Sequence, residues 1–156
     1  MPTTIEHPPV MPLTRFEFKT PLDEFEPVAK LKGIPVPAKA LAVNATPLLG
    51  TWMNCDKQTG GLVKVVITPS GPAISVHAFG ACVPTACDWG TVPGKVFADS
   101  VVSTPAVAFT ALYKFNFKET TIVGRLEFGA LIVETFDHFT DGSGRADYNA
   151  VYFMSK

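Results

Sequence analysis

Charge is scarce in this chain of 156 residues: Asp, Glu, Lys and Arg make up 17% of it, against roughly 25% in ordinary globular proteins. The two signs nearly cancel, at 13 basic and 14 acidic side chains. Neither sign clusters, which excludes nucleic-acid binding driven by phosphate neutralisation. No apolar run approaches the roughly 18 residues that a membrane span needs. The opening Met1-Pro2-Thr3-Thr4-Ile5-Glu6-His7 has neither the basic region nor the apolar stretch of a signal peptide, so a soluble, cytoplasmic protein is expected. Cysteine is limited to three residues and tryptophan to two. Beyond residue 50 no stretch repeats its apolar residues with a 3.6-residue period, which argues against helices there. What the chain does have is apolar bulk, 47% of its residues, with 12 phenylalanines.

Proline divides the chain. Nine of the 14 prolines fall within residues 1–50, and each removes a backbone donor and pushes its predecessor towards extended geometry. Residues 1–47 therefore read as a Pro-rich tail and extended arm, with one short edge strand at Arg15–Lys19. Apolar anchors (Phe25, Leu31, Ile34, Val36, Leu41, Val43) would let the arm wrap a core or reach another subunit in a homo-oligomer. From residue 48 to 156 short runs of Val, Ile, Thr, Phe and Tyr alternate with Gly, Pro and Asp-Gly turn signals. Strands are expected near 48–55, 62–68, 73–81, 95–102, 106–117, 120–128, 130–140 and 145–154. Such a run joined by tight turns is a meander of the size that closes into an eight-stranded antiparallel up-and-down β-barrel, which leaves no unpaired edge. A two-sheet sandwich is the competing all-β architecture.

The turns set the register, and register decides which side chains point inward. Two-residue turns at Gly129-Ala130 and Lys118-Glu119, with a turn at Asp141–Gly144, place Phe109, Ala111, Tyr113, Phe115, Phe117, Ile122, Leu126, Phe128, Leu131, Val133, Asp137, Phe139, Tyr148 and Tyr152 on one face. Lys114, Asn116, Arg125, Glu127, Glu134, His138, Asp147 and Asn149 take the other, with Arg125–Glu134 and His138–Asp147 as cross-strand pairs. Around Pro69–Pro72 the inward set is Val63, Val65, Ile67, Ile74, Val76 and Ala78. The first face is the buried one, because each large apolar side chain gains roughly 1.5–3 kcal/mol there. It also collects all three tyrosines, Thr135 and one carboxylate, Asp137.

Asp137 with Tyr148, Tyr113 and Tyr152 is therefore the leading candidate site. A carboxyl group among phenylalanines is costly to ionise, which would push its pKa towards neutrality. A neighbouring phenol could orient a ligand's polar group or, as Asp137 with Tyr148, move a proton. Thr135, Phe115, Phe139, Trp52 and Trp89 are expected to line the same lumen. The plainer alternative is that Asp137 accepts the Tyr148 hydroxyl and merely closes one end. Cys82-Val83-Pro84-Thr85-Ala86-Cys87 could form a small disulfide ring in an oxidising compartment or stay reduced in cytosol. No second Cys pair or His pair at ligand spacing points to zinc, and Asp141-Gly142 reads as a turn rather than a calcium loop, so neither metal nor cofactor is expected.

The strand opening Leu48-Leu49-Gly50-Thr51-Trp52 resembles the Gly-x-Trp start of the calycin group: lipocalins, fatty-acid-binding proteins and avidins. The resemblance implies a barrel around a small apolar ligand, with Trp52 packed across the floor. The chain departs from the group in three ways. No helix follows the last strand, the lipocalins' closing Arg has no evident counterpart near Met154-Ser155-Lys156, and the tryptophans that surround an avidin's ligand are missing. Barrels of this shape also include cofactor-free isomerases and cyclases. Binding of a small, largely apolar molecule in the lumen is the expected function, its polar group oriented by Asp137 and tyrosines. The alternatives are an acid/base enzyme using the same residues and a filled barrel acting as an oligomeric structural module.

Overall fold

A computed structural model describes residues 41–156 of the chain; the expected strand at Arg15–Lys19 and most of the arm lie outside the described residues, as does any contact it makes with another subunit. A short 3-10 helix, Thr46–Leu48, leads into β1 (Gly50–Asn54), β2 (Leu62–Ser70), β3 (Ala73–Gly80), β4 (Cys87–Ala98), β5 (Ala106–Lys114), β6 (Lys118–Glu127), β7 (Ala130–Phe139) and β8 (Tyr148–Ser155). Each strand pairs antiparallel with the next, and β8 returns to β1 through Asn54↔Met154 and Met53↔Ser155. The result is a closed, eight-stranded up-and-down barrel. No helix among the described residues is long and apolar enough to cross a membrane.

Alternation drives this closure. Along β3, every second residue from Ile74 to Gly80 is buried, as a strand with one wet face requires. Phe109, Tyr113, Ile122, Leu131, Val133, Val65 and Val76 all point inward and are essentially sealed from solvent. Asp137 is also inside, at 3% exposure, while Arg125 is exposed. The expected parity of β5 to β8 is the observed one.

Several registers differ from expectation by whole pleats. The β6–β7 turn is Phe128-Gly129 rather than Gly129-Ala130, since Leu126 pairs with Leu131 and Glu127 with Ala130. Both turn residues take left-handed backbone (φ 49° and 80°), the requirement of a tight hairpin with the twist of its strands. Phe128 is consequently fully exposed rather than inward. The β5–β6 turn is Phe115–Phe117, closed by Phe115 N–H donating to the Lys118 carbonyl at 2.8 Å, so Lys118 starts a strand instead of making the turn. Phe117 emerges exposed at the rim. The slip also removes the Arg125–Glu134 pair: Arg125 bonds Glu127 at 2.9 Å, and Glu134 accepts from Asn149. The expected His138–Asp147 pair is present at 2.7 Å.

Two further expectations fail where the ladder is irregular. A bulge between Leu62 and Lys64 turns Leu62 inward and leaves Val63 half-buried. The fourth strand starts at Cys87, well before the expected residue 95, although Gly90, Pro93 and Gly94 look like breakers. Gly90 sits beside the register shift at His77/Phe79. At Gly94 any Cβ would lie 3.0 Å from Ile74, Val76 and the Thr110 carbonyl, so glycine is needed for close packing.

Candidate functional site

The two ends of the barrel are unlike. At the end that carries the 3-10 helix, Trp52 is 2% exposed, and its indole Nε1 donates to the Leu48 carbonyl at 2.8 Å. Lys156 lies along Gly50, holds its ammonium 4.6 Å from the Trp52 ring centre, and reaches the Pro47 carbonyl at 3.5 Å. Trp52 thus belongs to a sealed floor, away from the tyrosines of the other end. Above it the barrel is filled. Phe109 lies flat against Gly124, where any side chain would collide with its ring.

Tyr113 is a strut within that filling. Its hydroxyl accepts from Ala78 N–H at 3.0 Å and donates to the Val76 carbonyl at 2.7 Å, with the Gly90 carbonyl at 3.1 Å. Burial pushes this phenol's pKa up to about 12. The hydroxyl is committed to the backbones of β3 and β4, so it is not the ligand contact expected of it. Thr135 is also sealed, and its Oγ1 is the one buried side-chain polar atom among the described residues without a hydrogen-bond partner.

The opposite end holds a cup of about 330 Å³. Trp89, Phe115 and Phe117 form one wall, Tyr148 and Tyr152 another, and the disulfide joining Cys82 to Cys87 a third. The wall residues are held by glycines as much as by neighbours. Tyr152 rests on Gly61, and Trp89 on Gly80, where a Cβ would stand 2.6 Å from the indole nitrogen. Tyr113, Phe115 and Phe117 stack in series at 5.9 Å steps from the core to the rim, and Trp89 meets Phe115 edge-on at 5.5 Å. Phe139 stands outside this wall, packed by Arg145, whose guanidinium lies 4.1 Å from its ring centre, and 6.2 Å from the Tyr148 ring.

The carboxylate of Asp137 faces the cup, but not as a lone acid. Lys118 Nζ and Thr120 Oγ1 both donate to its Oδ1 at 2.6 Å. Asp137 is buried and Lys118 largely so, with side-chain exposures of 2% for Asp137 and 12% for Lys118. The Lys118 ammonium also lies 5.3, 5.7 and 5.9 Å from the ring centres of Trp89, Phe115 and Phe117. Those separations are within reach of cation–π attraction. Tyr148 pairs with Asp137 in the ladder; burial first, then the carboxylate's negative charge, raises its phenol's pKa. Lys118 and Thr120 are the site residues that sequence reasoning missed. Both share the parity of Ile122; the misplaced turn hid Lys118, while Thr120, outside that turn, carries no mark in the sequence that sets it apart from the other inward residues.

Other places carry less chemistry. His138 sits exposed on the outer wall, where the hydrogen bond and charge of Asp147 raise its pKa; the same bond lowers that of Asp147. Larger clefts follow the outside of the β1–β2 loop past Asp56, Lys57 and Val83, but they contain no buried charged group. Among the described residues no three His, Cys, Asp or Glu side chains gather as metal ligands would. Comparison with protein-family models, with curated proteins and with solved structures finds no match to this chain.

Proposed function

We propose that this chain is a calycin-type binding barrel that holds a small, largely apolar molecule in the cup at its open end. The observation that carries this reading is the largely buried Lys118–Asp137 pair at the base of an aromatic cup. An ion pair removed from water is weak support for stability, since its desolvation cost rivals its attraction. Convergent polar groups at the base of an apolar cavity are, by contrast, how small-molecule sites fix orientation. A volume of about 330 Å³ falls at the small end of such sites. The ligand's apolar body would lie against Trp89, Phe115 and Tyr152, and its polar group would meet Asp137, Lys118 and Tyr148. The filled interior confines the molecule to the mouth instead of a deep lumen. The calycin assignment draws on the floor, where Lys156 crosses Trp52 and reaches the 3-10 helix, the place of the group's closing Arg.

The acid/base enzyme remains the second reading, favoured by one detail: Lys118 and Thr120 both bond Oδ1 of Asp137, and neither bonds Oδ2. The disulfide suits an oxidising compartment, so a cytoplasmic location forms no part of this proposal. Titration with trans-cinnamyl alcohol, followed through Trp89 emission in a Trp52→Phe background, tests the binding reading. We expect saturable quenching that Ala81→Phe, which obstructs the cup without adding a second indole, abolishes without lowering thermal stability. Quenching that survives Ala81→Phe, or no binding by any small aromatic alcohol, would overturn it.

A further inference from the structure

We propose that Lys118 captures conjugated aldehydes or ketones covalently, as a protonated imine, within the cup; this rests on the binding reading above. Lysine condenses with carbonyls when its amine meets three conditions. The partner's body must be held beside it, a proton acceptor and donor must be in reach, and water must be scarce enough for the imine to persist. The structure supplies each one at Lys118. Its side chain is 12% exposed, whereas that of its hairpin neighbour Lys114 is 68% exposed. The aromatic wall beside it would carry a flat conjugated body. Asp137 lies 2.6 Å from Nζ.

The chemistry balances without any further reactant. Asp137 takes one proton from the ammonium, and the freed nitrogen lone pair attacks the carbonyl carbon. The carbonyl π electrons move to oxygen, which takes the proton that the attacking nitrogen sheds, to give a neutral carbinolamine. Asp137 then returns its proton to the carbinolamine hydroxyl, the C–O bond breaks, and water leaves as the C=N bond forms. In sum, an ammonium and a carbonyl become a protonated imine and one water, with no change of charge or oxidation state. The cation that Asp137 and the three rings surround before the reaction is therefore still a cation afterwards. Spread along a conjugated chain, that cation would lie against the faces of Trp89, Phe115 and Phe117, which is why the inference names conjugated carbonyls.

The test incubates the full chain with trans-cinnamaldehyde, reduces it with borohydride, and maps the modified lysines by mass spectrometry. We expect the adduct on Lys118 in clear excess over the exposed Lys57, Lys95 and Lys114. Before reduction, an absorbance band should appear to the red of the free aldehyde's. Lys118→Arg keeps the charge beside Asp137 but cannot form an imine, and should lose both signals. Asp137→Asn should slow adduct formation roughly 100-fold, the share of a positioned acid/base group. Labelling of Lys118 no greater than that of the exposed lysines, with cinnamyl alcohol still bound, overturns this inference and leaves the binding reading standing. Failure of the alcohol and the aldehyde alike overturns both.

Discussion

Asp137 and Lys118 show why a single buried charge should not be considered by itself. Asp137 looks, by its neighbours in the chain, like an acid stranded among phenylalanines. Its ladder partner across β6, Thr120, and the residue at the start of that strand, Lys118, give it a hydrogen bond and a counter-charge. Breaking such a pair from one side leaves the other charge uncompensated, whereas removing both together restores an apolar contact. Lys118→Met or Asp137→Leu alone should therefore cost about 3 kcal/mol in urea unfolding. The double variant should be at least as stable as the unaltered chain. Single variants with unchanged stability would mean that water already solvates the pair. A double variant as unstable as either single one would mean that the pair holds the mouth together. Tyr113 illustrates the opposite case: its hydroxyl is fully engaged, but by the backbone of strands far away in sequence, so it serves the core rather than the cup.

At the scale of strands and turns, parity was the property readable from the chain. The β6–β7 hairpin is displaced by one pleat from its expected register and the β5–β6 hairpin by two; both displacements keep the parity within the strands, while Phe117 and Phe128 pass into the turns and out of the interior. The β7–β8 pairing, Asp137↔Tyr148 and Val133↔Tyr152, matches expectation residue by residue because Asp141–Gly144 signals its turn strongly. What alternation could not convey was turn length. Gly129 advertises a turn, but nothing local says that Phe128 rather than Ala130 accompanies it. Likewise Phe115–Phe117 reads as strand until Phe115 is seen to pack against Trp89, a contact made only once β4 is in place. That misplacement hid Lys118, so the acid and the aromatics of the site were legible while its cation was not. Phe128 also carries a testable cost. A phenyl side chain in the left-handed region is strained by roughly 1–2 kcal/mol, and asparagine is much better suited to this turn position. Phe128→Asn should raise unfolding free energy by about 1 kcal/mol. A loss of stability would show that the exposed ring packs against something the barrel itself does not supply.

For the molecule as a whole, the asymmetry of the two ends predicts where a disturbance will be felt. The floor is held by Trp52, Leu48 and Lys156, tied through the 3-10 helix, and it has no covalent bond across it. The mouth is walled by side chains from strand ends and from the loops between them, and its one covalent brace is the Cys82–Cys87 ring, with Cα atoms 5.4 Å apart. Closing so short a ring restricts the unfolded chain modestly, by about 2 kcal/mol in the chain-entropy model. In the folded protein it also fixes Trp89, two residues beyond Cys87, against Gly80. Cys82→Ser/Cys87→Ser should therefore lower unfolding free energy by about 2 kcal/mol. It should also weaken binding of trans-cinnamyl alcohol by roughly tenfold, because the loosened wall must be ordered when the molecule enters. The floor should not register the change: Trp52 emission, isolated in a Trp89→Phe background, should keep its wavelength and quenching behaviour. A shift in Trp52 emission would show that the two ends are coupled through the packed interior. Unchanged affinity would show instead that Trp89 is held by Tyr113 and Phe115 alone, and that the ring serves the unfolded chain rather than the cup.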